Sequence, residues 1–78
     1  MTTETIESEL VQKCAAYLQA TYNEELLEYD ILRNNVDDGA RELTMECTVR
    51  AGAGTSRWQK TFTFKGGRVT NMTWRHLG

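Results

Sequence analysis

The sequence predicts a small α+β domain in which an N-terminal amphipathic helix packs on an antiparallel sheet of about four strands. Apolar residues recur every three or four positions over the first 22 residues, which is typical of a helix with one buried stripe. The period then falls to two, which is typical of strands with one buried face. Glycine-containing turns divide this second part into segments of strand length.

The predicted helix begins at Thr3, a suitable N-cap, and ends near Tyr22 or Asn23. Glutamates in its first turns suit the positive end of the helix dipole. Its apolar stripe consists of Ile6, Leu10, Val11, Cys14, Leu18 and Tyr22.

Four strands are predicted after the helix. In the first, Leu27, Tyr29 and Ile31 alternate with Glu28, Asp30 and Leu32. The second is the clearest, because its apolar side chains all point one way: Leu43, Met45, Cys47 and Val49. The third runs from about Ser56 to Lys65 and buries Trp58, Phe62 and Phe64, and the last runs from Arg68 to His76.

The predicted connections are the turn from Val36 to Gly39, a flexible segment from Ala51 to Thr55, and a two-residue hairpin at Gly66-Gly67. Three successive hairpins make a meander, and the helix must cover one of its faces. This layout resembles, in architecture alone, the cystatin-like and nuclear-transport-factor-like group, in which a curved antiparallel sheet wraps a helix. The motifs of those families are absent, so the likeness implies a fold and no function.

The composition predicts a single domain over residues 1–78, located in the cytoplasm and without a membrane partner. The first nine residues carry acids in place of the basic stretch of an export signal. Cys14 and Cys47 are predicted to be small buried hydrophobes, with a disulfide between helix and sheet as the alternative. Two cysteines and one histidine spread over the chain predict no metal site, and nothing indicates a cofactor.

Charge is distributed unevenly along the chain. All eleven acidic residues lie at or before Glu46, whereas six basic and no acidic residues follow it. Basic hairpins with two tryptophans fit nucleic-acid binding, which is one alternative for the function. The other interpretation is that the basic strand pairs with the acidic strand beside it, and the net charge of −2 favours this.

The last hairpin contains a conflict of register. A regular two-residue loop at Gly66-Gly67 directs Met72 and Trp74 to the polar face of the sheet, whereas a one-residue bulge near Asn71 returns them to the core. Because the glycine pair is the firmer signal, we expect the regular register. Met72 and Trp74 would then be apolar anchors on an open face.

Lys60 shares its predicted face with Trp58, Phe62 and Phe64. A lysine in that position either snorkels past the end of the helix or lines a pocket, and we expect snorkelling. In the pocket alternative, Lys60 binds a small anionic ligand beside Trp58 and Tyr29.

These observations favour a non-enzymatic interaction module, because no histidine, serine or cysteine has an arguable catalytic partner. The expected binding surface is the open sheet face, which would take a protein partner or a second copy of the chain. Its predicted contact residues are Arg57, Thr61, Met72, Trp74 and Arg75.

Overall fold

The computed structural model describes residues 3–36 and 41–78, with side chains from Glu7 onward. Helix α1 (Thr3–Tyr22) is followed by four strands, β1 (Glu25–Asn35), β2 (Glu42–Ala51), β3 (Gly54–Lys65) and β4 (Arg68–His76). The strands form one antiparallel sheet in the order β1-β2-β3-β4. The predicted α+β meander is therefore confirmed. The predicted N-cap role of Thr3 rests on a side chain outside the described part of the structure, and residues 37–39 of the predicted Val36–Gly39 turn lie outside the described residues.

The core lies between α1 and one face of the sheet. The helix contributes one stripe, as its periodicity predicts, and β2 contributes every second residue. Phenylalanines of β3 fill the centre. The buried apolar side chains are Leu10, Val11, Cys14, Leu18, Leu43, Met45, Cys47, Val49, Phe62, Phe64 and Met72.

Helix α1 ends through a left-handed residue at the predicted position. Asn23 has φ of 55°, a conformation that asparagine tolerates better than most residues. Its N–H donates to the Gln19 carbonyl and the Glu24 N–H donates to the Leu18 carbonyl, both at 3.2 Å. The first is the 5→1 bond of the αL capping motif, and the second holds the following residue against the last turn of the helix. They fix the direction in which the chain leaves the helix, and with it the position of Glu24.

The simple alternation predicted for β1 is wrong. The register with β2 shifts between Leu26 and Glu28 and again between Ile31 and Arg33. Each shift inserts an extra residue, so Leu27 and Leu32 are exposed while Leu26 and Ile31 pack against the core. A strand with strict alternation has only one register that buries its apolar face. β1 carries apolar residues at both odd and even positions, so alternation alone does not select its register.

Both described turns are two-residue hairpins. Gly66 and Gly67 have φ of 62° and 80°, as a type I′ turn requires, so the predicted hairpin is confirmed. The segment after Ala51 is shorter than predicted, because Ala51 pairs directly with Gly54. Gly52, with φ of 63°, allows this tight connection.

The register predicted for β4 is wrong, and the bulged alternative is correct. Phe64 pairs with Val69, but Thr63 pairs with Asn71, so Thr70 is the extra residue. Beyond this bulge Met72 pairs with Phe62 and Trp74 pairs with Lys60. Directly opposed residues share a face, so both side chains lie on the helix side of the sheet. Burying Met72, which is only 5% exposed, stabilises this register over the regular one.

In the part of the chain that the structure describes, no helix combines the length and apolar character needed to cross a membrane.

Replacing Met72 with Ala tests the register. We expect the free energy of unfolding to fall by about 2–5 kcal/mol, because the change leaves a cavity in a small core. Thr73→Ala, one residue along on the open face, is the matched control and should change stability by less than about 0.5 kcal/mol. Urea denaturation followed by circular dichroism measures both. Equal, small effects would contradict the bulged register.

Candidate binding cleft

A cleft of about 150 Å³ opens where α1 ends above strands β3 and β4. Three aromatic rings and a methionine form its walls, and an ion pair forms its floor. We call it the aromatic cleft. Its lining residues are Tyr22, Glu24, Trp58, Lys60, Met72 and Trp74.

The ion pair on the floor joins Lys60 of β3 to Glu24, the residue that leaves the helix. The Lys60 Nζ donates to Glu24 Oε1 at 2.9 Å. The Lys60 side chain is 3% exposed and the Glu24 side chain 14%, so the ammonium is the more deeply buried partner. The snorkelling predicted for Lys60 is therefore wrong. Its ammonium is desolvated, and a carboxylate from the helix cap compensates its charge.

Two aromatic rings also contact the ammonium of Lys60. The Nζ atom lies 5.0 Å from the ring centroid of Trp58 and 5.7 Å from that of Tyr22, within the range of cation–π attraction. The carboxylate and the two ring faces together replace much of the water that a lysine loses on burial.

The Trp58 ring is held on several sides. Its Nε1 donates to Ser56 Oγ at 2.8 Å, and the His76 ring stacks at a tilt, with centroids 4.5 Å apart. Lys60 Nζ occupies a position over the ring as well. A tryptophan fixed in this way gives the cleft a rigid wall.

Trp74 has few neighbours for so large a side chain. It lies on the helix face of the sheet, but α1 ends at Tyr22, so helix covers only part of it. The Tyr22 ring meets it edge-on at 6.3 Å, yet Trp74 remains 56% exposed. A large aromatic surface beside a preformed cleft is a common feature of binding sites.

The predicted ligand-binding residues are only partly brought together. Lys60 and Trp58 line the aromatic cleft, as the pocket alternative supposed. Tyr29 does not line it. It lies on edge strand β1, pairs with Cys47 and is 47% exposed.

The five residues predicted to bind a partner divide between two surfaces. Pairing of Gln59 with Arg75 and of Thr48 with Arg57 places the two arginines on the open face, together with Thr61. Met72 and Trp74 lie on the opposite side. The open face is therefore polar and lacks the aromatic anchor that the regular register would have supplied.

Polar contacts organise the open face. Arg57 donates to Thr48 Oγ1 at 3.0 Å and to Glu46 Oε1 at 3.2 Å, and the Thr44 and Thr61 hydroxyls are 3.1 Å apart. Arg50 pairs with Glu25 on the neighbouring strand. The prediction that the basic third strand pairs with the acidic second strand is thus met for Arg57, whereas Arg50 of β2 pairs with β1 and Lys60 is neutralised from the helix side.

Cys14 and Cys47 are both buried free thiols, as the sequence predicts. Burial raises the pKa of Cys14 to about 12, and the neighbouring Cys47 adds to this. Burial also raises the pKa of Cys47 to about 11, although the positive charge of Lys60 opposes the shift. Neither thiol is therefore a reactive nucleophile near neutral pH.

Sequence reasoning missed two members of the cleft, Tyr22 and Glu24. The helical periodicity predicts Tyr22 only as a member of the apolar stripe, and Glu24 follows the predicted helix end in an acidic segment that gives no sign of burial. The signal that points to both is Asn23, because a residue able to adopt positive φ at a helix end predicts an αL cap. That turn directs the next residue back over the core.

Among the described residues, no group of three or more histidine, cysteine and acidic side chains is arranged to hold a metal ion. No protein-family model matches the chain, and neither a curated protein nor a solved structure matches it significantly.

Replacing Glu24 with Gln tests the ion pair. It leaves the ammonium of Lys60 buried without a counter-charge, so we expect the free energy of unfolding to fall by about 3 kcal/mol. The matched control is Glu25→Gln in the exposed pair with Arg50, where the loss should be below about 1 kcal/mol. Adding Lys60→Met to the Glu24 variant should restore part of the lost stability. If the two glutamine variants have equal stability, the Lys60–Glu24 pair contributes no more than a surface contact.

Thiol modification tests the burial of the cysteines. At pH 8 the folded protein should react with Ellman's reagent roughly 100-fold more slowly than the urea-unfolded chain, because a pKa of about 11 leaves little thiolate. The stabilisation from keeping both thiols protonated is complete below pH 9 and is lost as the pH rises through about 11 and 12. Rapid modification of the folded protein at pH 8 would contradict this.

Proposed function

We propose that the chain is a non-enzymatic interaction module that binds a protein partner through the aromatic cleft. The observation that carries this proposal is the exposure of Trp74, 56% of whose surface faces solvent at the mouth of a preformed cleft. Tryptophan and tyrosine contribute disproportionately to binding energy at protein interfaces. Both residue types are present here on adjacent elements.

The rigidity of the cleft supports this role. Trp58 is fixed by Ser56 and His76, and the floor is fixed by the pair of Lys60 with Glu24. Side chains that are already ordered lose little conformational entropy when a partner binds, so more of the contact energy appears as affinity.

The size of the cleft favours a side chain of a protein over a free small molecule. Sites for drug-sized ligands typically enclose roughly 300–1,000 Å³. The aromatic cleft offers about 150 Å³. It can accept one inserted side chain, while Trp74 supplies flat contact area around it.

An anionic ligand, one of the sequence-based alternatives, is less well supported. The Lys60 ammonium already donates to Glu24 and is 3% exposed. A ligand would have to displace the carboxylate and reach a buried nitrogen, and the displaced Glu24 would lose its partner.

Binding through the open face is also less well supported. Interface anchors are typically aromatic or arginine side chains that are buried on binding. Among the predicted partner-binding residues on that face, Arg57 is engaged by Glu46 and Thr48. Nucleic-acid binding is also less well supported, because three of the six basic residues after Glu46 are each paired with a carboxylate, namely Arg50, Arg57 and Lys60.

Selection from a phage-displayed random peptide library tests the proposed function. Clones enriched on the wild-type protein should lose about tenfold or more in affinity on Trp74→Ala, since truncating an interface hot spot typically costs about 2 kcal/mol or more. The matched control is Leu32→Ala, which removes an apolar side chain of similar exposure, 50%, on a different surface. Circular dichroism confirms that both variants are folded.

Two results would contradict the proposed function. One is enrichment of clones that bind Trp74→Ala as well as wild type. The other is loss of binding on Leu32→Ala or Arg57→Ala with Trp74→Ala unaffected, which would assign binding to the open face. Enrichment of clones that carry this chain's own β4 sequence would identify self-association as the interaction.

A further inference from the structure

We infer that the partner binds as an extended segment, adding a fifth antiparallel strand along the free edge of β4 with a basic side chain directed to the aromatic cleft. This inference rests on the proposed function and specifies the mode of binding and the chemistry of the partner. Adding a strand to an exposed sheet edge is a recurrent mode of peptide recognition, in which backbone bonds provide affinity and alternate side chains provide specificity.

The hydrogen-bonding pattern of β4 supplies the first step. Leu77 N–H donates to the Arg57 carbonyl, and Arg57 N–H donates to the Gly78 carbonyl, both at 2.8 Å. In an antiparallel pair, hydrogen-bonded positions alternate with non-bonded ones. Counting from Arg57 in steps of two, the bonded pairs of β3 with β4 include Gln59–Arg75 and Thr61–Thr73.

The intervening residues of β4 therefore direct their backbone groups away from β3. These are Met72, Trp74 and His76, which pair with β3 at non-bonded positions. The Phe64 N–H bond to the Arg41 carbonyl supports the same alternation, because even-numbered residues of β3 bond to β2. In the described sheet β4 is an edge strand, so these backbone groups have no neighbouring strand.

The same residues place their side chains at the aromatic cleft. Met72 and Trp74 line the cleft, and His76 stacks on its Trp58 wall. A residue directly opposite Trp74 in an added strand would direct its side chain to this face, with Cα atoms about 5.5 Å apart. Backbone pairing and side-chain insertion are therefore compatible in a single bound strand.

The other edge of the sheet is less suited to strand addition. β1 is interrupted by two register shifts and carries the acids Glu25, Glu28 and Asp30. Bulges and charges are the usual protection of an edge strand. β4, in contrast, is regular from Asn71 to His76.

The charges around the cleft predict which type of partner residue would lie opposite Trp74. Lys60 and Glu24 neutralise each other. The partial negative charge at the C-terminal end of α1 is not balanced in this way, because the last turn of α1 contains no basic residue. Helix C-termini and the faces of aromatic rings both attract cations. Glu24 is also more exposed than Lys60, so the carboxylate is the more accessible member of the pair. An arginine or lysine side chain satisfies these conditions.

The open face requires the opposite charge. Residues on either side of the basic one would point to that face, beside Thr73 and Arg75. An acidic side chain can pair there with Arg75. The expected recognition pattern is therefore a basic residue flanked by acidic ones, in an extended segment.

A synthetic heptapeptide tests this inference. The probe is acetyl-Thr-Val-Glu-Arg-Glu-Val-Thr-amide labelled with fluorescein, and its affinity for the full chain is measured by fluorescence anisotropy. The control exchanges the charges to Thr-Val-Arg-Glu-Arg-Val-Thr. The protein carries a net charge of −2, so non-specific attraction would favour the more positive control. We expect the probe to bind about tenfold more tightly.

Backbone methylation tests strand addition directly. With arginine opposite Trp74, the arginine N–H points to β4 and the glutamate N–H groups point to solvent. N-methylation at arginine should weaken binding by about tenfold or more, because it removes a hydrogen bond and adds a steric clash. N-methylation of either glutamate should have little effect. Two variants of the protein make the same test. His76→Pro and His76→Ala both remove the imidazole ring, but only proline also removes the edge N–H, so His76→Pro should weaken binding more.

Each outcome has a separate meaning. If the peptide N-methylated at arginine and those N-methylated at glutamate all bind like the parent, but Trp74→Ala abolishes binding, strand addition is wrong and the proposed function stands. If the charge-exchanged peptide binds equally well, the basic side chain is wrong. If the probe does not bind the wild-type chain at millimolar concentration, the inference is overturned, while the proposed function is judged by its own selection experiment.

Discussion

The ion pair between Lys60 and Glu24 joins the end of helix α1 to the sheet, and the aromatic cleft depends on it. Lys60 belongs to a central strand, and Glu24 belongs to the turn that ends the helix. A buried ammonium without a counter-charge is strongly unfavourable, so the helix must end where its cap can deliver a carboxylate. The position of that end in turn leaves Trp74 uncovered and opens the cleft beside it.

One extra residue in β4 decides which face of the sheet the rest of that strand's side chains occupy. The bulge at Thr70 reverses the faces of all residues that follow it, because side chains alternate with a period of two. Met72 thereby enters the core and Trp74 moves to the helix side. The same alternation decides which backbone groups of β4 face the free edge. Because of the bulge, the residues whose side chains lie on the cleft side are also the ones whose backbone groups face that edge.

The lopsided charge distribution along the chain is partly compensated within the fold, where three of the six basic residues after Glu46 have a carboxylate partner. Arg50 of β2 pairs with Glu25 of β1, Arg57 of β3 pairs with Glu46 of β2, and the turn after α1 contributes Glu24 as the partner of Lys60. The two contacts between strands exist because sequential strands pair with each other. Separation of charge along the sequence therefore reflects, in part, pairing between neighbouring strands.

The sequence by itself determined the element order, the end of α1 near Tyr22, the buried face of β2 and the hairpin at Gly66-Gly67, because these follow from local periodicity and turn chemistry. It could not determine the registers of β1 and β4, where apolar residues at both parities make the alternatives locally equivalent. Only the tertiary structure decided them, through the packing of Leu26, Ile31 and Met72 in the core. The cleft is also a product of tertiary structure, because Glu24 and Lys60 are far apart in sequence and meet only when helix and sheet pack together.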